Sequence, residues 1–405
     1  MKILFLTPSP PYPPDQGTAI RNWGLVSILA QQHHVSLLSF ARHSDQIAPE
    51  LQDCCAKVSF VDAPERTHVQ RLATLVGSSR ADIADRLAST KFAARLLNML
   101  NNESFDAIHI EGLELSPYLH KIAALRGTAS TPLLIYDAHN AETVIQRRAL
   151  QTDRIQLHRW LAAFYSGLQL PRIAKLERQT CEHADSVLCV SNEDCSELRK
   201  LLPGLKPVVV PNGIFLSEYT EPVTPAALPE PALVFSGKMN YRPNVDGVLW
   251  FTRKILPRIL RNHSDATFVV VGKTPVPSIK RLADNPRIRV TNSVPDVRPL
   301  IAAATVFLAP LRMGGGTRFK LLEAMALRRP IVSTTIGAEG FPITDGNELL
   351  LADSPDEQAT AICSLIEDSK SRIRLGNAGR AFVEANYQWQ QIVPLLQKAY
   401  PWTKI

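Results

Sequence analysis

The chain has 405 residues, 45% of them hydrophobic and 20% charged, with a formal net charge of +7. That composition excludes a disordered polypeptide, and the length exceeds one ordinary core and suits two domains of about 150–200 residues each. The mildly basic balance favours anionic partners such as nucleotide phosphates or an acidic membrane surface, without choosing among them.

The N-terminal apolar stretch Ile3–Leu6 runs into Pro8, Pro10, Pro11, Pro13 and Pro14, so it is too short for a secretory signal and reads as a first strand. Short apolar runs follow at Val35–Phe40, Val58–Val61, Ala107–Ile110, Leu133–Tyr136 and Ser186–Val190 in the first half. In the second half they fall at Val208–Val210, Leu233–Ser236, Thr267–Val271, Ile288–Val290, Val306–Ala309 and Ile331–Ser333. Runs this short, separated by segments of helical period, predict buried parallel strands joined by crossover helices, an α/β chain. Between Leu202 and Pro231 the prolines and glycines crowd together (Pro203, Gly204, Pro207, Pro211, Gly213, Pro222, Pro225, Pro229) and mark a linker. Domains are expected at 1–205 and 206–384, followed by a helical tail, 385–405, that packs back on the first domain. No stretch approaches the roughly 18 apolar residues needed to span a bilayer, so membrane contact would be peripheral. The helical segment Arg147–Arg178, with Trp160, Phe164 and Tyr165, would suit an anionic membrane or, alternatively, the packing of a core helix. Cys54, Cys55, Cys181, Cys189, Cys195 and Cys363 form no C-x-x-C pair and are expected to be unpaired thiols in a reducing cytoplasm.

Most of the chemistry is concentrated between Pro310 and Pro330. After the strand Val306–Ala309 come Gly314, Gly315 and Gly316, then a helix expected to open near Thr317. Glycines let the backbone approach a ligand, and the amides and dipole of a new helix attract phosphate. Arg318 and Lys320 put cations in that first turn, where they oppose the helix dipole unless an anion is bound. Glu323 follows one turn after Lys320, placed to accept the ribose hydroxyls of a nucleotide. These positions carry either a diphosphate site or, alternatively, a plain loop followed by solvated helix charges.

The segment resembles the nucleotide-sugar site of retaining glycosyltransferases of family 4, specifically the subset linked to exopolysaccharide assembly. Glu323-Ala324-Met325-Ala326 is similar to the second half of that family's Glu-x7-Glu motif, and the first glutamate falls at Gly315. The resemblance implies a GT-B fold, two Rossmann-like domains with parallel sheets facing a central cleft. It extends to Gly237-Lys238 at a strand end, where a basic group grips the diphosphate, and to the Pro211-Asn212-Gly213 turn between domains. Val269–Gly272 and Asn292–Val297 resemble the segments that border the nucleotide base. In the first half, Gly17 resembles part of a glycine loop near donor and acceptor, and His139 the histidine that contacts the donor sugar. Arg21, His109 and Glu111, at the first βα connection and at another strand end, are candidate acceptor contacts. Glu177–Asp194 resembles a structural segment of the first domain.

By this resemblance His139, Arg318 and Lys320 are catalytic, while Gly17, Gly237, Lys238, Gly314–Gly316, Thr317, Arg318, Lys320 and Glu323 bind the donor. The implied reaction moves a sugar from a nucleotide-diphosphate sugar to a glycan or lipid-linked acceptor, with retention, in surface or exopolysaccharide biosynthesis. Preplaced cations would stabilise the departing diphosphate, so no metal or other cofactor is expected, and no Asp-x-Asp pair sits near a strand end. The expected location is the cytoplasm, with contact on the inner face of the membrane, and nucleic acid is not an expected partner. Two alternatives stay open: a non-hydrolysing sugar-nucleotide epimerase, and a sugar-nucleotide-binding protein that has lost catalysis.

Overall fold

A computed structural model describes residues 1–14, 16–67, 78–125, 132–154, 160–220, 223–314 and 318–400. The chain divides into two compact units, the first made of Met1–Gly213 with Ile392–Ile405 and the second of Ile214–Gln391.

The first unit is built on a seven-stranded sheet of β1 (Lys2–Thr7), β2 (His34–Ala41), β3 (Lys57–Asp62), β4 (Ala107–Glu111), β5 (Leu133–Ala138), β6 (Ser186–Cys189) and β7 (Val208–Val209). The order across the sheet is β3-β2-β1-β4-β5-β6-β7, and every neighbouring pair is parallel. The second unit repeats this plan with β8 (Ala232–Ser236), β9 (Thr267–Val271), β10 (Ile288–Val290), β11 (Val306–Ala309), β12 (Ile331–Ser333) and β13 (Leu350–Leu351). Its order is β10-β9-β8-β11-β12-β13, again all parallel. Both are doubly wound, Rossmann-like sheets. Central strands such as β1, β8 and β9 are buried on both faces, which is why their sequences are largely continuous apolar runs, whereas the equally buried β4 carries His109 and Glu111. One core cluster covers one face of the first sheet, around Leu4, Phe40, Phe92 and Ile110, and Ile3, Phe5, Leu25 and Leu37 are buried outside it. Two clusters cover the opposite faces of the second sheet, one around Phe307 and Leu321 and the other around Phe235 and Phe268.

In each sheet the chain reverses its winding between two central strands, β1 and β4 in the first unit and β8 and β11 in the second. Open α/β sheets bind ligands at the carboxyl ends of the strands at such a switch point. The fold thereby assigns one candidate location to each unit.

Several boundaries differ from the sequence reading. Val208–Val209 pairs with β6, so this strand completes the first sheet and does not open the second domain. The division between units follows it, after Gly213, and the second unit runs on to Gln391. Within the tail, the helix Ser369–Asn386 ends at Tyr387, and a separate helix, Trp389–Ala399, carries the chain from the second unit back into the first. Trp389 is buried beside Phe215 in the second unit, Tyr400 is buried in the first, and Trp402 lies outside the described residues. The two-residue strand β13 is too short to give a sequence signal. The expectation of unpaired thiols is corrected at one place. Cys189 ends β6, and Ser191 caps the next helix by accepting from the backbone N–H of Asp194. That turn brings Cys195 back to Cys189, with Cα atoms 5.8 Å apart, and the two are joined as a disulfide. Cys54, Cys55, Cys181 and Cys363 are free.

Candidate functional site

At the switch point of the second unit, β8 ends in Gly237. A Cβ there would stand 2.9 Å from Nζ of Lys320 and 2.7 Å from Nδ2 of Asn244, so a side chain would displace both, and the φ of +152° itself favours glycine. On the next strand, Gly272 approaches Gly237 so closely that a Cβ would fall 1.7 Å from its carbonyl oxygen. Two glycines thus clear a floor at the ends of β8 and β9. The helix beyond β11 begins at Phe319, with Arg318 in the N-cap position in extended conformation, slightly later than the expected start near Thr317. Gly314 has φ of +117°, and a Cβ on it would meet the Arg318 guanidinium at 2.9 Å. Gly315, Gly316 and Thr317 lie outside the described residues.

Lys320 is half-buried in the first turn of this helix. Its ammonium donates to Oδ1 of Asn244 at 2.9 Å and sits 3.9 Å from the centroid of the Phe235 ring. Asn244, absent from the sequence expectations, is held by donating its Nδ2 to the carbonyl of Lys238 at 3.0 Å. Burial, with the charge of Arg318 added, lowers the pKa of Lys320 to about 7. Glu323 is half-buried one turn on, and burial pushes its carboxyl up to about 7 against the pull of Lys320, with Asp296 and Glu218 adding to the rise. Arg298, paired with Asp296 at 2.9 Å and lying 6.0 Å from the Tyr219 ring centroid, borders the same region and was also missed by the sequence reading. Lys238 is exposed beside Gly237. A basic group and an acid, each carrying its charge at a cost, stand together where a ligand of opposite pattern would relieve both.

At the switch point of the first unit a polar cavity of about 180 Å³ is lined by Ser9, Gln16, Thr18, Glu114, His139 and Glu142 among others. Gly17 is exposed between two of these residues, at the first position of the helix Gly17–Ala30, whose N-terminus has no side-chain cap. The loop carrying His139 is fixed from below. Asp194 accepts from the N–H of Ala141 at 3.1 Å, and Glu177 accepts from the N–H groups of Glu142 at 2.7 Å and Thr143 at 3.2 Å. The Glu177–Asp194 segment therefore positions a site residue as well as forming part of the domain. Burial, with the nearby carboxylates of Glu114 and Glu177, raises Glu142 to about 8.

Beneath His139 lies a buried ionic cluster, and here the expected acceptor contacts are corrected. Arg21 is 1% exposed. It donates from Nε and Nη2 to the two oxygens of Asp137, at 2.9 and 2.8 Å, and from Nη1 to the carbonyl of Val210 at 2.9 Å and Oδ1 of Asn212 at 3.1 Å. A guanidinium so fully engaged clamps the Pro-Asn turn to the sheet and is not presented to an acceptor. His109 and Glu111 are fully buried below the cavity, with Nε2 of His109 3.0 Å from Oε1 of Glu111 and 3.6 Å from Asp137. Glu111 makes direct contact through Oε2 with Nε2 of His139, which alone among these residues lines the cavity. Burial opposes charge on both rings, but for His109 the hydrogen bonds of Asp137 and Glu111, and for His139 the charge of Glu111, outweigh it and raise both pKa values. The ligand atoms of His109, Glu111 and Asp137 lie within 4.8 Å of one another, a spacing that would suit a metal ion. Arg21 already supplies the positive charge there by taking both oxygens of Asp137.

Sequence comparison agrees with this architecture. Residues 17–218 match the family model described as Glycosyltransferase Family 4, and residues 230–368 match the one described as Glycosyl transferases group 1. A Klebsiella pneumoniae protein described as an uncharacterized 44.6 kDa protein in the cps region is 22% identical over 96% of this chain and 97% of its own. A GDP-mannose-dependent monoacylated alpha-(1-6)-phosphatidylinositol monomannoside mannosyltransferase of Corynebacterium glutamicum is 27% identical over 40% of this chain, which spans less than half (44%) of that relative. Among solved structures, sucrose-phosphate synthase from Thermosynechococcus elongatus superposes with a TM-score of 0.76 at 17% identity, covering 99% of this chain and 98% of that one. Anabaena HepE in complex with UDP-glucose superposes at 0.63 and 16% identity, covering 98% and 100%. These structural likenesses carry the GT-B fold.

Proposed function

Because the chain is a family 4-like glycosyltransferase, with one glycosyltransferase family model matching residues 17–218 and a second matching residues 230–368, we propose that it takes a sugar from a nucleotide-diphosphate donor bound at the switch point of the second unit. The observation that carries the proposal is Lys320. A half-buried ammonium whose pKa is lowered to about 7, in the first turn of a helix and above a glycine floor, is costly to the empty protein and suited to a diphosphate. Arg318 and Lys238 supply further cations, and Glu323 accepts from the ribose hydroxyls. As the bond from the anomeric carbon to the phosphate oxygen breaks, negative charge grows on the diphosphate, where these groups meet it without reorganising. The acceptor hydroxyl attacks the same carbon from the side of the leaving group and passes its proton to the departing phosphate, so that configuration is retained. In the first unit, His139 lines the cavity and is assigned a hydrogen bond to a sugar oxygen there. The cations make a metal unnecessary in this scheme. Gly315, in place of the family's first glutamate, leaves contact with the sugar ring to other groups.

The acceptor is a glycan or a lipid-linked glycan, and the setting is surface or exopolysaccharide assembly at the cytoplasmic face of a membrane. The similarity to a protein of a cps region supports the setting. Among the described residues no helix is long and apolar enough to cross a membrane. Trp160, Leu161 and Phe164, each more than 60% exposed on the helix Trp160–His183, offer a peripheral contact. The chain's formal net charge of +7 favours an anionic surface. Replacing Trp160 and Phe164 with serine should abolish flotation with phosphatidylglycerol vesicles, and unchanged flotation would remove this contact from the scheme.

The donor assignment is tested by thermal unfolding with a panel of nucleotide sugars headed by GDP-mannose, on which the mannosyltransferase above depends, and UDP-glucose, bound in the HepE complex. A true donor at a hundred times its Kd should stabilise the protein by about 2.7 kcal/mol. It should also be turned over only when acceptor is added, which separates a transferase from an epimerase. Stabilisation by none of the panel, or by sugar phosphates lacking a nucleoside as well as by the full donors, would count against the reading.

A further inference from the structure

The cluster beneath His139 contains a residue that the scheme above does not use. Tyr400, fully buried at the end of the C-terminal segment, lies with its hydroxyl 2.5 Å from Nδ1 of His109. The groups facing His109 are Glu111 from its own strand, Asp137 from β5, Phe5 of β1, whose ring stacks on it at 4.1 Å, and Tyr400, while Arg21 joins through Asp137 and Asn22, with its amide oriented to donate, through Glu111. His139 joins through Glu111. Two carboxylates against one guanidinium leave a single negative charge, so one imidazolium neutralises the cluster and two would leave buried excess charge. Both rings are drawn towards protonation by carboxylates that can balance only one of them.

Hydrogen bonding decides which. Nε2 of His109 faces two carboxylates, which only accept, so Nε2 carries a hydrogen in either state. The charge on this ring therefore depends on whether Nδ1 is bare or protonated, and the atom 2.5 Å from Nδ1 is the Tyr400 oxygen. We propose that Tyr400 is a positioning residue: its hydroxyl donates to Nδ1 of His109, holds that ring neutral, and leaves the one imidazolium of the cluster on His139 at the cavity. Burial next to Glu111 and Asp137 raises the tyrosine's own pKa well above its usual range, so its proton is retained. His139 then presents Nδ1–H as a charged donor, a stronger partner for a sugar oxygen than a neutral ring.

This proposal rests on the reading that His139 serves transfer, and the experiment separates the two. Full-length protein labelled with 15N in histidine is observed by long-range nitrogen–proton correlation without substrate, as wild type and as Tyr400→Phe, alongside His139→Ala kinetics. The wild type should show His139 with both nitrogens protonated and His109 neutral with a bare Nδ1. In Tyr400→Phe the imidazolium should become shared with His109, kcat should fall about tenfold, and the limb of the pH profile governed by His139 should move to lower pH. The donor KM should change by less than about twofold, because the nucleotide contacts are untouched. An imidazolium on His109 in the wild type, a measurement that needs no variant to fold, overturns the proposal. So does an unaltered nitrogen pattern in Tyr400→Phe. If the pattern shifts as expected while His139→Ala remains fully active, the role of Tyr400 stands and the catalytic reading of His139 fails.

Discussion

Lys320→Met should weaken nucleoside diphosphate binding by roughly 10- to 100-fold while making the empty protein more stable. The loss is that of a charge-assisted contact, worth about 1.5–3 kcal/mol. The gain follows from linkage. The folded-state pKa of Lys320 is lowered from 10.5 to about 7, so between those values the unfolded chain holds a proton that the folded chain does not. Stability therefore rises with pH across that window, and below about pH 7 the full penalty of a buried charge is present. Methionine keeps the aliphatic stem over Phe235 and removes the penalty. Glu323 has the opposite slope: its pKa is raised from 4.5 to about 7, so the folded state holds the extra proton and stability falls as pH rises between those values. The two groups together make neutral pH the least favourable for the unliganded pocket, and an arriving diphosphate should recharge Lys320. At pH 8, binding should take up protons in the wild type and not in Lys320→Met, measured by titration calorimetry in buffers of different ionisation enthalpy. Equal affinity and equal proton uptake in the two proteins would refute the diphosphate assignment.

Arg21→Met or Asp137→Ala alone should each destabilise the protein by roughly 3–5 kcal/mol, because each leaves its partner charged and buried. Arg21→Met also strips donors from the carbonyl of Val210 and the side chain of Asn212. Burial alone would raise the carboxyl of Asp137, but Arg21 outweighs it and holds the group well below the ordinary carboxylate range. The contribution of Asp137 is consequently intact above its unfolded pKa of 3.8 and is lost only as pH falls below that value. The double variant Arg21→Met/Asp137→Leu should recover much of the loss, since an apolar pair of similar size carries no stranded charge. Urea unfolding of the four proteins measures this. Additive losses in the double variant would show that the two residues act independently.

Most strands were legible because a parallel strand buried on both faces favours a short apolar run, and Thr267–Val271, Val306–Ala309 and Ile331–Ser333 begin and end where the sequence puts them, as does the edge strand Ile288–Val290 with Arg289 exposed. At the candidate site of the second unit, Gly237, Lys320 and Glu323 stand out in the sequence because strand-end glycines and charges against a helix dipole are local conflicts. Asn244 and Arg298 were not, since nothing near them in the sequence is unusual and their roles come from folding. The first unit misled for a related reason. Arg21, His109 and Glu111 are polar residues next to strand ends, where a ligand contact and a buried counter-charge look alike until burial is known. The sequence cannot distinguish β7 as the last strand of one sheet from the first strand of the next, because two residues carry no pairing information.

Returning the chain to the first unit at Ile392 makes that unit discontinuous. The Tyr400–His109 contact joins residues 291 positions apart, and a ribosome releases Tyr400 only after the whole second unit has been made. During synthesis the first sheet therefore waits with His109 uncapped, and closing this last long-range contact is a late event in maturation. The first unit cannot acquire its complete histidine arrangement before Tyr400 has been made, so a chain cut short of that residue holds a first unit that is folded in outline and chemically unfinished.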